Sequence, residues 1–274
     1  MSDKTVLITG CSSGIGRATA LEFSEDEWVV YATSRDTDDI ADLADVGCKI
    51  AQLDVTEPDH VERVVDRIED ETGRVDCLVN NAGFGQYGPM EDISTRRLHY
   101  QFDVNVYGPH RLTRAVLPLM RLQGDGTIIN LSSIYGKVST PGGGAYAGSK
   151  FALEAMSDAL RAEVDSFGID VVLIEPGPVA TGFNGSLADK LDGLDRTPAY
   201  ASLYDTIEDF NIAASSLPVT SEPADVAVLI HDVAHLSNPK ARYPVGPIGK
   251  LVCYSRFLPD GVRDGIYRLV LKLP

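Results

Sequence analysis

Six short apolar runs alternate with helix-like stretches through the first two-thirds of the 274-residue chain, and no other feature constrains the fold as much. The runs are TVLITG (5–10), WVVYAT (28–33), a run near 49–54, VDCLVN (75–80), GTIINLSS (126–133) and IDVVLIEP (169–176). They are near-continuous in Val, Ile and Leu. A strand with one solvated face would alternate with polar residues, so these strands belong to a sheet covered on both faces. Helical patterns lie between them at 14–24, near 37–46, and at 58–71, 94–122 and 145–166. Pro58 suits the first turn of its helix, and Gly168 suits a C-terminal cap. Strand–helix–strand units cross over right-handed. The expected fold is therefore an α/β doubly wound parallel sheet of about seven strands with helices on both faces.

The pattern changes after Pro176. Residues 177–197 are rich in Gly, Pro, Ser and Asp and read as a loop. Helical patterns near 198–215 and 223–236, a final edge strand at 241–246 and an amphipathic tail follow. No repeat or linker divides the chain, so one domain over 1–274 is expected. Its parts are a core at 1–182, a substrate loop with helices at 183–220, and a C-terminal helix, edge strand and tail at 221–274. No apolar run approaches the roughly 20 residues that span a bilayer. The N-terminus runs directly into a strand, so no signal peptide is expected and a cytoplasmic location is. Cys11, Cys48, Cys77 and Cys253 are scattered and read as free thiols. The five histidines show no H-E-x-x-H pattern, and no metal is expected.

Acidic residues outnumber basic ones by 40 to 24, a net charge of −16. Such a surface opposes nucleic acid and anionic membranes. It also repels itself until salt screens it. Two origins stand open: a salt-rich cytoplasm, as in a halophile, or an ordinary acidic protein.

The segment ITGCSSGIG follows the first strand and opens the first helix. Gly10 permits the tight turn. Gly14 and Gly16 let a pyrophosphate approach the backbone and the helix N-terminus. This is the strand–turn–helix of a Rossmann-type dinucleotide fold. The spacing G-x-x-x-G-x-G resembles the short-chain dehydrogenase/reductase family of compact, single-domain type, and NNAG (80–83) and PGPVATG (176–182) resemble further motifs of that family. The resemblance covers nearly the whole chain up to about residue 182. It implies cofactor contacts from Gly10, Ser12, Ser13, Gly14, Ile15 and Gly16. It implies more from Asp54 and Val55 at the adenine, from Asn81, Ala82 and Gly83, and from Pro176, Gly177, Val179 and Thr181 near the nicotinamide. At the end of strand two, in YATSRD, Thr33 stands where NAD-preferring relatives carry Asp, and Arg35 could pair with a 2′-phosphate. Asp36 is a rival that would favour NAD(H). NADP(H) is favoured over NAD(H).

Tyr146 and Lys150, in PGGGAYAGSK (141–150), stand four apart and share a helix face. A free tyrosine is a poor base at neutral pH, and a neighbouring ammonium would lower its pKa. The phenol could then donate a proton to a carbonyl or accept one from an alcohol. Ser133 precedes Tyr146 by thirteen residues and matches the family serine that holds the substrate oxygen, with Ser132 in support. Asn105 matches the family asparagine. Pro109 lacks an N–H, so the Asn105 carbonyl loses its helical partner and could hold a water near Lys150. The resemblance thus implies the tetrad Asn105, Ser133, Tyr146 and Lys150, with Tyr146 and Lys150 also touching the cofactor.

The expected activity is NADP(H)-dependent interconversion of an alcohol and a ketone or aldehyde, on a lipophilic small molecule. Aromatic and apolar residues at Phe84, Tyr87, Met90, Phe183, Leu187, Tyr200, Leu203, Tyr204 and Phe210 would line the pocket. YATSRD and RYPVG resemble the hydroxysteroid and retinol dehydrogenase-like branch. The alternatives are an NAD(H) enzyme of the same type and a non-catalytic dinucleotide sensor. The resemblance further implies a homodimer or homotetramer through the helices at 94–122 and 145–166.

Overall fold

The computed structural model describes residues 4–180, 191, 193–214, 220–246 and 257–270. Seven strands form one parallel sheet: β1 Lys4–Thr9, β2 Trp28–Ser34, β3 Lys49–Gln52, β4 Cys77–Asn80, β5 Gly126–Leu131, β6 Ile169–Pro176 and β7 Arg242–Val245. Their order is β3-β2-β1-β4-β5-β6-β7. The chain winds one way from β1 to β3 and returns to place β4 on the other side of β1, in register Val6↔Cys77 to Ile8↔Val79. That reversal opens a crevice at the C-terminal ends of β1 and β4, where such sheets bind ligands. The sheet class, strand number and all-parallel pairing agree with the sequence reading. β7 is an edge strand, opposite β3, and Pro244 is tolerated there because an edge strand needs fewer ladder donors.

The helices are α1 Gly14–Ser24, α2 Pro58–Thr72, α3 Thr95–Phe102, α4 Gly108–Gln123, α5 Gly144–Val164, α6 Ala201–Ala214, α7 Pro223–Ala234 and α8 Asp260–Val270. Two buried clusters lie on opposite faces of the sheet. Phe23, Trp28, Ile230 and Val233 join Ile8 and Val30 on one face. Val61, Val64, Ile68, Leu112 and Val116 join Leu7 and Leu78 on the other. This two-sided burial is why the strands read as unbroken apolar runs. The acidic segment near 37–46 is a 3-10 helix, Asp38–Ala44.

The helix expected over 94–122 has an internal irregularity. Between α3 and α4, Asp103–Tyr107 forms a π turn in which the Gly108 N–H reaches the Asp103 carbonyl, five residues back. Pro109 follows directly, so the proline-induced break takes this form. Gly108 is required here for space as well, because a Cβ would lie 2.8 Å from Val55 Cγ2. Among the described residues no helix is long and apolar enough to cross a membrane. The tail helix α8 leaves Val262, Ile266 and Leu269 exposed.

Candidate active site

The glycine turn after β1 is built for close approach. Gly10 and Gly14 have φ of 74° and 58°, which side chains rarely adopt. A Cβ on Gly16 would collide with the Gly10 carbonyl and the Asn81 amide. Asn81 Nδ2 donates to the Thr9 carbonyl (2.8 Å) and the Gly10 carbonyl (3.1 Å). The N–H groups of Asn81 and Ala82 both donate to Thr9 Oγ1 at 3.0 Å. Asn81 thus fastens the end of β4 to the turn. Ser13 caps α1 without a side-chain hydrogen bond, which leaves the first-turn N–H groups available to a phosphate. Ser12 and Ile15 lie in the same turn. These residues fit a dinucleotide pyrophosphate.

The other expected contacts surround the same crevice. Val55 is buried, and Asp54 Oδ1 accepts from the Thr56 N–H (2.9 Å) and Thr56 Oγ1 (2.8 Å), so that oxygen builds the turn into α2. Pro176 ends β6, the Gly177 N–H donates to the Val245 carbonyl (3.2 Å), and Val179 bridges Ser221. Thr181 lies outside the described residues. Thr33 is fully buried, with Oγ1 donating to the Ile8 carbonyl (2.9 Å). Arg35, next beyond β2, is exposed and makes no ion pair among the described residues. Asp36 Oδ1 accepts the Asp38 N–H (3.0 Å), starting the 3-10 helix.

The four expected catalytic residues converge. Ser133 follows β5 and is buried, as is Tyr146, and its hydroxyl favours ionisation of the Tyr146 phenol. Ser133 Oγ also accepts the Tyr135 N–H (3.2 Å). Lys150 is buried one turn along α5, with Nζ 5.8 Å from the Tyr146 ring centre and donating to the Leu131 carbonyl (2.6 Å). Asn105 lies in the π turn with its side chain committed. Oδ1 accepts the Phe84 N–H (3.1 Å), and Nδ2 donates to the Phe84 carbonyl (2.9 Å) and Ser149 Oγ (3.1 Å). Ser149 Oγ in turn donates to the Tyr146 carbonyl (2.7 Å). Gly83 sits between these groups: a Cβ there would lie 3.2 Å from Asn105 Oδ1 and 3.7 Å from Lys150 Nζ.

The electrostatics correct one expectation. Lys150 was expected to lower the Tyr146 pKa. Burial dominates instead and pushes the phenol above its ordinary value, with the Ser133 side chain pulling the other way. Burial also brings Lys150 down to about 8, against an opposing attraction from Glu154. Tyr135 and Tyr87 each place a ring centre 5.5 Å from that of Tyr146 and help exclude water.

Ser132, expected to support Ser133, has a buried Oγ with no hydrogen-bond partner among the described residues. Tyr204, expected at the pocket wall, is buried in a satellite cluster with Leu191, Leu194 and Ile207, and its hydroxyl donates to Asp92 Oδ2 (2.6 Å). Phe84 packs against Tyr100, ring centres 5.3 Å apart. Phe183, Leu187 and the Phe210 side chain lie outside the described residues, as does Cys253. Sequence reasoning missed two features. Ser149 links Asn105 to Tyr146 and carries no motif of its own. Glu154 is buried beside Lys137, which also lies 3.2 Å from Glu175, and Arg242 Nε reaches Glu154 at 3.0 Å. An i,i+4 offset from Lys150 is the only local signal for Glu154.

A cavity of about 640 Å³ lies beside Gly142 and Gly144, at the start of α5, and is bounded by Met90, Val138, Pro141, Phe151 and Tyr267. Arg263 and Asp264 of α8 complete its rim.

Residues 4–192 match the family model for short chain dehydrogenase. The chain is 40% identical to an uncharacterized oxidoreductase, YbbO, of Escherichia coli K12 over 267 residues, which is 96% of this chain and 93% of that protein. It is 34% identical to a 3-ketodihydrosphingosine reductase of Bacteroides thetaiotaomicron, covering 98% of both. The crystal structure of a serine dehydrogenase in its closed form with NADP+ superposes with a TM-score of 0.78 at 28% identity, covering 89% of this chain and 95% of that one. The chain belongs to the short-chain dehydrogenase family and is a single-domain, NAD(P)(H)-dependent oxidoreductase that interconverts an alcohol and a carbonyl.

Proposed function

We propose that the enzyme prefers NADP(H) and acts on a lipophilic alcohol or carbonyl, with Tyr146 as its acid/base. The observation that carries this reading is the burial of Tyr146 and Ser133 together with Lys150, whose Nζ lies 5.8 Å from the Tyr146 ring centre one helical turn away. NADPH, when bound, supplies the hydride. Ser133 Oγ holds the carbonyl oxygen, and Tyr146 passes its proton to that oxygen as the alcohol forms. A phenol held protonated at neutral pH suits the reductive direction. Lys150 holds the cofactor ribose and, with Asn105 behind it, returns a proton to Tyr146. The glycine turn with Ser12, Ser13 and Ile15 cradles the pyrophosphate.

Arg35 and Asp36 support the choice of NADP(H). The guanidinium is exposed and unpaired among the described residues, while Asp36 directs an oxygen to the Asp38 N–H. The likeness to a serine dehydrogenase seen with NADP+ points the same way. The apolar part of the cavity wall (Met90, Val138, Pro141, Phe151, beside the polar Lys137, Thr140, Arg263 and Asp264) and the likeness to a 3-ketodihydrosphingosine reductase support a long-chain or polycyclic substrate, in keeping with the hydroxysteroid and retinol dehydrogenase-like branch. Residues 183–220 form the substrate loop and helices in this reading. A groove of about 340 Å³ between α4 and α5, lined by Pro109, Leu153 and Met156, supports a homodimer or homotetramer through those helices. The net charge of −16 supports a protein that avoids nucleic acid, and fits either a salt-rich cell or an ordinary acidic protein.

NADPH absorbance over a panel of ketones, aldehydes, sterols and long-chain keto compounds tests the assignment. Tyr146→Phe should reduce kcat by at least about 10²-fold while leaving cofactor affinity nearly unchanged. Turnover near wild type would reject Tyr146. A matched NADH series with higher kcat/KM would reverse the cofactor preference.

A further inference from the structure

We propose that Asp26, His231 and His235 form a binding site for a zinc-class divalent cation, remote from the catalytic residues. Asp26 lies in the turn between α1 and β2. His231 is near the end of α7, and His235 is its C-cap residue, four positions on and on the same face. Asp26 Oδ2 stands 3.4 Å from His231 Nε2 and 3.3 Å from His235 Nε2. One donor atom from each residue lies within 4.8 Å of the others. Zinc bonds to nitrogen and carboxylate oxygen of about 2.0–2.1 Å place neighbouring donors of a tetrahedron about 3.3–3.4 Å apart. Both Asp–His separations match that edge.

Three further details point to a cation. His231 Nε2 is shielded from solvent and makes no well-formed hydrogen bond among the described residues, only the 3.4 Å approach to Asp26 Oδ2, so an ion between the two would satisfy it. His235 Nδ1 is 2.8 Å from the His231 carbonyl, so it donates there and leaves Nε2 with its lone pair. Metal-binding histidines are oriented in the same way, by an N–H given to a carbonyl behind them. Asp26 Oδ1 accepts the Glu27 N–H (2.7 Å), leaving Oδ2 toward the rings.

Packing holds both rings in place. His231 meets Phe23 edge-on at 4.9 Å and His235 meets Trp28 at 5.4 Å. The Trp28 indole N–H donates to His235 Nε2 (3.1 Å), a neutral hydrogen bond that the ion displaces. The Asp26 and His235 side chains are 44% and 36% exposed, which gives an entry path and room for a water as fourth ligand. Two imidazoles and one carboxylate favour zinc over magnesium or calcium, which take oxygen donors. The chemistry at Ser133 and Tyr146 does not involve this site. The ion would join the α1–β2 turn to the end of α7, bracing the helix that carries the glycine turn.

Equilibrium dialysis of the purified chain against zinc chloride tests the site, with the cobalt(II) absorption spectrum reporting geometry. Wild type should take up one equivalent with tetrahedral cobalt bands, and zinc should raise its melting temperature. Asp26→Asn and His235→Asn, both at accessible positions, should each weaken zinc at least about tenfold, abolish the thermal shift and leave turnover unchanged. Circular dichroism verifies that the variants fold. Equal uptake by wild type and both variants, or no uptake by wild type, would overturn the proposal.

Discussion

Lys150 is a buried ammonium whose own pKa is brought down to about 8, so its placement opposes folding. The unfolded chain holds that proton up to about pH 10.4. At pH 7 the lysine is charged in both states and the folded protein carries the full desolvation cost. Between the folded and unfolded values the unfolded state binds more protons, so stability rises with pH across that window. Lys150→Met should therefore stabilise the protein by about 1–3 kcal/mol at pH 7, with the gain shrinking toward pH 10, and should remove turnover. Urea denaturation at pH 7 and pH 9.5 reads both the sign and the trend. A destabilised variant would mean that the bond to the Leu131 carbonyl outweighs desolvation. Tyr146 is held in the opposite sense, with burial keeping its proton on. The pairing of Tyr146 with Lys150 was legible because an offset of four is local helix geometry. The sign of the tyrosine's shift was not, because it depends on Tyr87, Tyr135 and the layers packed around the ring.

The π turn at Asp103–Tyr107 and the glycine turn before α5 shape the site from either side. The π turn aims Asn105 at the Phe84 backbone and Ser149, a contact that a regular helix through Pro109 would redirect. Sequence reasoning found the break through Pro109 but assigned the function to the Asn105 carbonyl. The side chain is what ties three elements together. In the glycine turn, Gly142 has φ of 76°, and a Cβ there would collide with Ile207 Cδ1 of α6. At Gly142 the space is occupied by Ile207, so that glycine admits a packed helix. Gly142→Ala should cost about 1–3 kcal/mol, from backbone strain plus overpacking. Ile207→Ala in the same chain should recover part of it, so the double variant should lose less than the sum of the single losses in a denaturation cycle. Additive losses would reject the contact.

At the scale of the molecule, a charge of −16 stands over an ordinary two-sided α/β core. Raising KCl from about 0.05 to 1 M should raise the melting temperature by several degrees, because the Debye length falls from beyond 10 Å to about 3 Å. Light scattering on the same samples reads the oligomeric state. A flat or falling melting temperature would remove the case for a salt-rich origin. The strand runs, the glycine turn and the spacing from Ser133 to Lys150 were readable in one dimension. Each depends on periodicity or on neighbours a few residues apart, and those offsets fix direction on a strand or helix. The tertiary structure decided which groups meet across the fold: Asp26 with His231 and His235, Lys137 and Arg242 with Glu154, and the rings that dry Tyr146. These contacts join residues far apart in sequence. Desolvation and donor convergence act through space, and no spacing along the chain encodes them.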